Sequence, residues 1–198
     1  MAAVFIAGSI TIKELDFLVQ ERLMNVIELG HDVVVGDADG VDTSIQRFLM
    51  SQNYERVRVF CAGEKPRNNV GGWEVHSVTT YHKPKSRAFF TAKDIAMAEA
   101  ADTGFMIWDG KSTGTLSNVM ELLSQKKFSR VFVNKKKSFV TVKKAQDLED
   151  LLTLMTESAR SSANTKINLN ERLAALQSKE MQKILLAERE RIKAVESV

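Results

Sequence analysis

The stretch that decides the fold comprises residues 105–121 and reads FMIWDGKSTGTLSNVME. It begins within an apolar run of strand length, residues 104–109. The turn at 110–115 follows, and then apolar side chains recur at helical spacing at Leu116, Val119, Met120 and Leu123. The first N–H groups of a helix have no partner within it, and glycines let an anion approach them. The stretch therefore predicts a strand, a phosphate-binding turn and a helix.

Short apolar strands alternate with helical patterns on both sides of this stretch. The predicted strands cover residues 4–7, 33–35, 57–62, 104–109 and 131–134, with a further edge strand at 139–142. The predicted helices cover about 15–27, 42–51, 86–101 and 116–126, and a closing helix lies near 148–155. This alternation predicts an α/β chain with a Rossmann-like three-layer fold and a mostly parallel sheet. A long polar loop at 63–83 interrupts the alternation of strands and helices, and loops of this length are usually functional or disordered.

The domain organisation follows from a change in composition near residue 158. Residues 1–157 are expected to form one nucleotide-binding domain, and the small polar stretch 158–165 is expected to be a hinge. A long charged helix is predicted over about 168–195, within a C-terminal extension of residues 158–198. Its apolar residues drift round the helix without a heptad, so we expect a wide contact with another subunit in a homo-oligomer. A helix folded back on its own domain is the alternative.

Composition excludes several classes of protein. The chain has 198 residues, 44% of them hydrophobic, which is enough for a core. No apolar run reaches the length of a membrane span, and the N-terminus is typical of a first strand rather than a signal peptide. The single cysteine, Cys61, lies in an apolar strand, so a buried thiol in a cytoplasmic protein is expected. The net charge of +3 does not by itself indicate nucleic acid.

Several common site motifs are absent from the sequence. A P-loop would need glycine at position 105, which is phenylalanine, and no G-x-G-x-x-G follows the first strand. The three histidines are scattered and have no metal-ligand spacing, and no G-x-S-x-G elbow occurs. We therefore expect neither a metal ion nor a cofactor.

Three polar turns that contain glycine follow predicted parallel strands. They are residues 8–9, 36–42 and 109–115. Ligands of open α/β sheets bind at the carboxyl ends of the strands, beside the point where strand order reverses. Three such turns at one edge predict a binding site, although glycines that merely end strands would give the same pattern.

The order of these turns, Gly8-Ser9, then VVGDADGVD at 34–42, then WDGKSTGT at 108–115, resembles the SLOG superfamily. This superfamily joins the DNA-processing protein A and Lonely-guy folds, with YspA-like and YpsA-like members. The resemblance covers about residues 1–134, and the late turn is its more specific part. It implies a Rossmann-like fold that binds nucleotides or nucleotide-derived ligands. In Lonely-guy enzymes it also implies cleavage of the N-glycosidic bond of a nucleoside monophosphate.

The sequence departs from the Lonely-guy pattern at its catalytic glutamate. Three residues after Thr115 stands Asn118, and Glu121 lies a turn later. If the protein is an enzyme that cleaves the N-glycosidic bond or transfers the ribosyl group, the chemistry must come from another carboxylate at a strand end, because the reaction needs a group that activates water or stabilises a ribose cation. Such carboxylates would equally suit the binding of ribose hydroxyls. The candidate catalytic residues are Asp37, Asp39 and Asp109. A non-catalytic nucleotide sensor is the alternative.

The predicted ligand is a small nucleotide-like molecule. Its phosphate is expected on the backbone of the late turn, with aspartates of the second turn facing ribose or base. Arg67 is expected to contact phosphate, and Arg87 is expected either to clamp phosphate or to be a solvated surface arginine. Trp73 is expected either to cover the base or to anchor its loop. The full set of predicted ligand-binding residues is Gly8, Ser9, Gly36, Gly40, Asp42, Arg67, Arg87, Gly110, Lys111, Ser112, Gly114 and Thr115.

A basic segment leaves nucleic acid open as a partner. Residues 126–144 contain eight lysines and arginines and no acid. Such a segment would bind phosphates, as the DNA-processing relatives do. The segment also suits a solvated sheet edge that resists pairing with other strands, which is the favoured interpretation.

Overall fold

The computed structural model describes residues 1–196 and contains a seven-stranded sheet with helices on both faces. The strands are β1 Ala3–Gly8, β2 Asp32–Gly36, β3 Val57–Ala62, β4 Glu74–Val78, β5 Thr103–Trp108, β6 Ser129–Val133 and β7 Ser138–Val142. The helices are α1 Phe17–Glu28, α2 Val41–Ser51, α3 Arg87–Ala100, α4 Thr113–Ser124, α5 Ala145–Leu152, α6 Glu157–Ile167 and α7 Leu169–Glu196. The predicted α/β fold is confirmed.

The sheet is parallel except at one edge. Its strand order is β4-β3-β2-β1-β5-β6-β7, and β7 alone runs antiparallel, paired with β6. The chain moves outward from β1 to β4 and then returns to start β5 on the other side of β1. The strand order therefore reverses between β1 and β5, and a ligand site is expected at the carboxyl ends of these two strands.

Two hydrophobic cores flank the sheet. On one face α1 and α2 cover side chains of the central strands, among them Ile6 and Val35. On the other face α3, α4, α5 and the start of the C-terminal helices cover the alternate side chains, among them Phe5 and Met106. Alternation along each strand sends successive side chains to opposite faces, which is why both faces need a helical layer.

The loop 63–83 contains the strand β4 and is tied down by Trp73. The Trp73 side chain is buried in the α1/α2 core, and its indole N–H donates to the carbonyl of Tyr54 at 3.0 Å. The side-chain amide of Asn69 donates a hydrogen bond to the carbonyl of Trp73 and accepts one from its backbone N–H. Of the two roles considered for Trp73, the structure shows the anchor of the loop.

The predicted hinge at 158–165 is wrong, because these residues lie within α6. Thr156 caps the helix by accepting from the N–H of Ala159, and Asn168 ends it in a left-handed conformation. Ala163 is buried against the domain, so a small residue is needed there for close packing rather than for flexibility. Asn168 is thus the break between α6 and the long helix.

The long helix α7 begins in the core and continues into solvent. Leu169, Leu173 and Leu176 are buried in the same core as α4. Further along, large apolar side chains are half exposed or more: Met181, Ile184, Leu185, Leu186 and Ile192. The predicted helix over 168–195 is confirmed, and residues 197 and 198 of the predicted extension lie outside the described range. Among residues 1–196, no helix is long and apolar enough to cross a membrane.

Candidate functional site

The turn after β5 is closed by Asp109. Its Oδ1 accepts hydrogen bonds from the N–H groups of Lys111 at 3.0 Å and Ser112 at 2.7 Å, and its Oδ2 accepts from the hydroxyl of Thr11 at 2.9 Å. Burial alone would raise the pKa of Asp109, but these hydrogen bonds outweigh it and lower the pKa. A carboxylate of the chain therefore occupies the first two N–H groups of the predicted phosphate-binding turn.

The next three N–H groups remain free. Within residues 1–196, the backbone N–H groups of Thr113, Gly114 and Thr115 have no acceptor, and Ser112 at the N-cap makes no side-chain capping bond. A Cβ added to Gly114 would meet no atom within 4 Å, so the backbone there is open to a ligand. The start of α4 thus offers partial positive charge and three donors.

The glycines of the two earlier turns serve close packing of the chain itself. A Cβ at Gly8 would collide with the carbonyl of Ile107, and one at Gly40, where φ is +77°, with the backbone of Ile10. At Gly36 a Cβ would overlap the carboxylate of Asp42 and lie 2.7 Å from Nζ of Lys93. Gly36 therefore leaves space for charged groups at the end of β2.

A buried ion cluster lies at the carboxyl end of β2. Asp37 accepts hydrogen bonds from Nη2 of Arg67 at 2.7 Å, from Nε of Arg67 at 3.0 Å and from Nζ of Lys93 at 3.3 Å. Burial by itself would raise the pKa of Asp37, but Arg67 and Lys93 outweigh it and lower the pKa to about 2. The Arg67 guanidinium also stacks over the ring of Phe90 at 4.7 Å.

Two further carboxylates complete this cluster. Oδ1 of Asp94 lies 3.7 Å from Nζ of Lys93. Asp42 is 5% exposed, and its Oδ2 accepts one hydrogen bond, from the N–H of Ala38. Burial raises the pKa of Asp42 to about 6 and raises that of Asp94, although Lys93 opposes both shifts. Burial would lower the pKa of Lys93, but its three carboxylate neighbours raise it. In this cluster of three carboxylates and two cations, burial therefore favours the protonated form of Asp42 and Asp94.

A cavity of about 330 Å³ joins the ion cluster to the start of α4. We call it the switch-point cavity, since it opens between the ends of β1 and β5. The ionic side of its wall consists of Asp42, Arg67, Lys93 and Asp94, and the α4 side of Ser112, Gly114, Thr115 and Asn118. Apolar side chains line the remainder: Ile10, Phe90 and Met97. Fixed donors, titratable groups and an apolar wall in one cavity are typical of a ligand site.

Other predicted site residues lie beside this cavity or beneath it. Ser9 is fully buried under the turn, where its hydroxyl accepts from the N–H of Asp109. Lys111 lines a second cavity of about 460 Å³ between α4 and α6. Asp39 is exposed, accepts from Asn68 at 3.1 Å and lines a separate pocket on the outside of its turn. Gly110 is half-buried and lies in the left-handed region, with φ of +85°.

Arg87 and Arg172 both contact α4. Nη2 of Arg87 lies 3.4 Å from the hydroxyl of Thr113, beside the free N–H groups. Nη1 of Arg172, from α7, donates to the hydroxyl of Ser117 at 2.8 Å, one turn further on. Arg87 was predicted from the sequence, whereas the approach of Arg172 depends on the packing of α7 against its own domain.

Sequence reasoning left out Lys93, Asp94 and Asn118 as site residues. A usable signal was present for two of them, because Lys93 falls on the same helical face as Phe90 and Met97, and Asn118 falls among the inward positions of α4. A charged or amide residue on an apolar face indicates a buried polar group that needs a partner.

No protein-family model and no curated protein matches the sequence. A solved structure does. It is DNA processing protein A from Helicobacter pylori, described for its single-stranded DNA binding mode, and it matches with a TM-score of 0.53. The match covers 84% of this chain and 80% of that chain at 16% sequence identity.

The chain has the fold of DNA processing protein A. The resemblance predicted from the turns after β1, β2 and β5 is therefore confirmed at the level of the fold. DNA processing protein A was named among the members of that superfamily on the basis of the turns alone. The likeness to DNA processing protein A concerns the architecture alone.

Proposed function

We propose that the chain binds a nucleoside 5′-phosphate or a closely related phosphorylated nucleoside in the switch-point cavity. The observation that carries this proposal is that Gly114 and Thr115, two of the three residues with free N–H groups at the start of α4, line the same cavity as the buried ion cluster. A helix N-terminus with free donors suits a phosphate. The polar and apolar walls beyond it suit a sugar and a base.

The phosphate would bind two residues further along the turn than the sequence suggested. Asp109 already holds the N–H groups of Lys111 and Ser112, so the donors left for a ligand are those of residues 113–115. Arg87, beside Thr113, would add a charge-assisted hydrogen bond. The other predicted donors, Lys111 and the Ser112 hydroxyl, would remain at the rim.

An N-glycosidic cleavage is the reaction that this cavity would best support. Water would add to C1′ of the sugar while the bond from C1′ to the base breaks, and the base would leave with a proton. Asp94, whose pKa burial raises, would supply that proton, and the carboxylate of Asp42 would take one from the water. In this proposal Asp37 holds Arg67 and Lys93 in the wall of the cavity, and Asp39 and Asp109 are tested with it. If no base is released, the same cavity serves as a nucleotide sensor.

The test combines titration with product analysis. Calorimetric titration with a panel of nucleoside 5′-monophosphates should give binding to at least one, and chromatography of the incubated mixture should detect free base if the protein is an enzyme. Single Asp→Asn changes at positions 37, 39, 42, 94 and 109 assign the acid. Loss of turnover with Glu121→Gln, and with none of these five, would refute the choice of carboxylates. A protein that binds no member of the panel would refute the proposal itself.

Single-stranded DNA binding is the second candidate function. It is favoured by the fold shared with DNA processing protein A and by a basic pocket on this chain. A cavity of about 260 Å³ between the end of α4 and α7 is lined by four lysines, Lys126, Lys143, Lys179 and Lys183, with Glu180 the one acid among its lining residues. Lysines around a groove bind phosphates with strong salt dependence.

Two lysines of the basic segment already have partners within the chain and are less available to DNA. Lys127 donates to the carbonyls of Ala98 and Glu99, and Lys137 pairs with Asp16 at 2.9 Å. Charge reversal at Lys126 and Lys143 together should therefore weaken binding of a single-stranded oligonucleotide and flatten its salt dependence. Lys13→Glu, an equal change of charge per site on another face, is the control. Equal binding by the double variant and the wild type would remove this candidate.

A further inference from the structure

Asn118 is a buried amide without a partner. Its side chain is 6% exposed, and it makes no hydrogen bond to any residue within 1–196. Of the buried side-chain polar atoms in this part of the chain, Oγ of Ser129 alone is sealed from solvent without a partner, so the Asn118 amide keeps contact with solvent through the switch-point cavity that it lines.

An unpaired buried amide is unusual in a folded protein. The large majority of buried polar side-chain atoms have a hydrogen-bond partner, because desolvation without one is unfavourable. An apolar residue of similar size would suit the inward face of α4 better for stability. The position of Asn118 therefore points to a partner that enters the cavity.

The spacing along α4 restricts where that partner group lies on the ligand. Asn118 is four residues after Gly114, so the two lie on one face of the helix, about 6 Å apart along its axis. A ligand whose phosphate rests on the free N–H groups would present its sugar to Asn118. This span fits the distance from a 5′-phosphate to the ring hydroxyls of the same nucleotide.

Asp42 supplies the complementary acceptor in the same cavity. Its Oδ2 accepts one backbone N–H, which leaves further acceptor sites on the carboxylate. An amide offers both a donor and an acceptor, and a carboxylate accepts. Together they match two neighbouring hydroxyl groups, which act as donors and acceptors at once.

We propose that Asn118, with Asp42, binds the hydroxyls of the ligand's sugar, so that the cavity takes ribonucleotides in preference to 2′-deoxyribonucleotides. This inference rests on the proposed nucleotide site and names its substrate class. It also separates the two candidate functions, since a site for single-stranded DNA has no use for a 2′-hydroxyl.

The experiment compares matched ribose and deoxyribose probes by calorimetric titration. The probes are ribose 5-phosphate, 2-deoxyribose 5-phosphate, and the nucleoside 5′-monophosphates with their 2′-deoxy counterparts. The wild type is expected to bind the ribose series about tenfold more tightly, the size of one good hydrogen bond. Asn118→Leu should weaken the ribose series to the level of the deoxy series and leave the deoxy series unchanged. Asn25→Leu, the same exchange on the exposed face of α1, should behave as the wild type.

Thermal melting without ligand provides the second measurement. Asn118→Leu should melt at the same temperature as the wild type or higher, because it removes an unpaired buried amide. A drop of several degrees would mean that Asn118 supports the fold, and would overturn the inference.

The outcomes separate this inference from the proposed function. Equal affinity of the wild type for both series, or an equal loss in both series with Asn118→Leu, overturns the inference and leaves the nucleotide site standing. Absence of binding to every probe overturns the nucleotide site and the inference together.

Discussion

Nζ of Lys93 lies 3.3 Å from Oδ1 of Asp37, and both side chains are at least 95% buried, with exposures of 4% and 3%. The pair sits at the carboxyl end of β2, in the space that Gly36 leaves free. Arg67 holds the outer side of the same carboxylate. The charges of the site are therefore fixed before any ligand arrives, which is how preorganised sites stabilise charge in a ligand or transition state.

Removing Asp37 should destabilise the fold strongly. Asp37→Ala leaves Lys93 buried with reduced compensation, and breaking a buried ion pair from one side costs about 3 kcal/mol or more. Asp39→Ala, two residues away at an exposed position, should change the free energy of unfolding by less than about 0.5 kcal/mol. Urea denaturation of both variants measures the difference. Equal stability of the two would show that the cluster does not hold the fold.

Ionisation of Asp42 should make the free energy of unfolding depend on pH. Its folded pKa, raised to about 6 by burial, exceeds the unfolded value of 3.8, so the folded state binds the proton more tightly. Ionisation then destabilises the fold as pH rises from about 4 to 6, by up to about 3 kcal/mol. Asp42→Asn removes this loss, so the variant should gain stability relative to the wild type over that interval. Parallel melting curves against pH would contradict the assignment.

Asp37 should act in the opposite direction at lower pH. Its folded pKa, lowered to about 2, lies below the unfolded value of 3.8, so its contribution to stability is present above pH 4. That contribution is lost as pH falls from about 4 to 2. With both carboxyls in place, the wild type should be most stable near pH 4 as far as this cluster is concerned. Thermal melts in the interval from pH 2 to 7 test the two slopes separately.

Gly114→Val should abolish nucleotide affinity without unfolding the domain. A Cβ at this position meets no protein atom, so the added methyl groups project into the space where phosphate would bind. Valine also has a higher helix propensity than glycine, so the melting temperature should not fall. Calorimetric titration with a nucleotide that binds the wild type is the measurement. Ala174→Val, at an exposed position of α7, controls for a branched residue in a helix, and unchanged affinity of Gly114→Val would contradict the phosphate site.

The end of α7 should form the subunit contact. Removing residues 178–198 takes away the exposed apolar side chains and leaves Leu169, Leu173 and Leu176 in the core, so this truncation should be folded and monomeric. Removing residues 162–198 should also cost stability, because it takes away buried leucines. Light scattering of the full chain and both truncations measures the masses.

A point variant gives a milder test of the same contact. Leu185→Glu should dissociate the oligomer, whereas Leu29→Glu, at an exposed leucine of α1, should not. A monomeric full-length protein would exclude the contact, and equal masses of the full chain and the shorter truncation would move it elsewhere.

The sequence predicted the architecture well because the period of apolar residues follows directly from burial. Strand β3 was predicted with the bounds that the structure shows, and the other predicted strands and the first four helices agree within a few residues. The prediction of a hinge at residues 158–165 was wrong for a physical reason. A run of small polar residues predicts a linker when it is solvated, but in α6 Ala163 is buried against the domain, and tertiary packing overrides composition.

The sequence predicted that the three turns lie together, but not the contacts among them. The three turns do meet beside β1 and β5, yet local spacing does not show that Asp109 caps its own turn or that Gly36 makes room for Lys93 and Asp42. Those relations join residues far apart in the chain, through helices whose facing is set by the whole core. Asn118 was noticed as a departure from a family pattern, and its lack of a partner became visible in the folded chain.

The hydrogen bond from Arg172 to Ser117 joins the C-terminal helix to α4. α7 has 28 residues and is about 42 Å long. Near its first residue it is hydrogen-bonded to α4, the helix whose first turn lines the cavity. A subunit that binds the exposed part of α7 would therefore contact a helix that packs directly on α4, whose first turn lines the cavity.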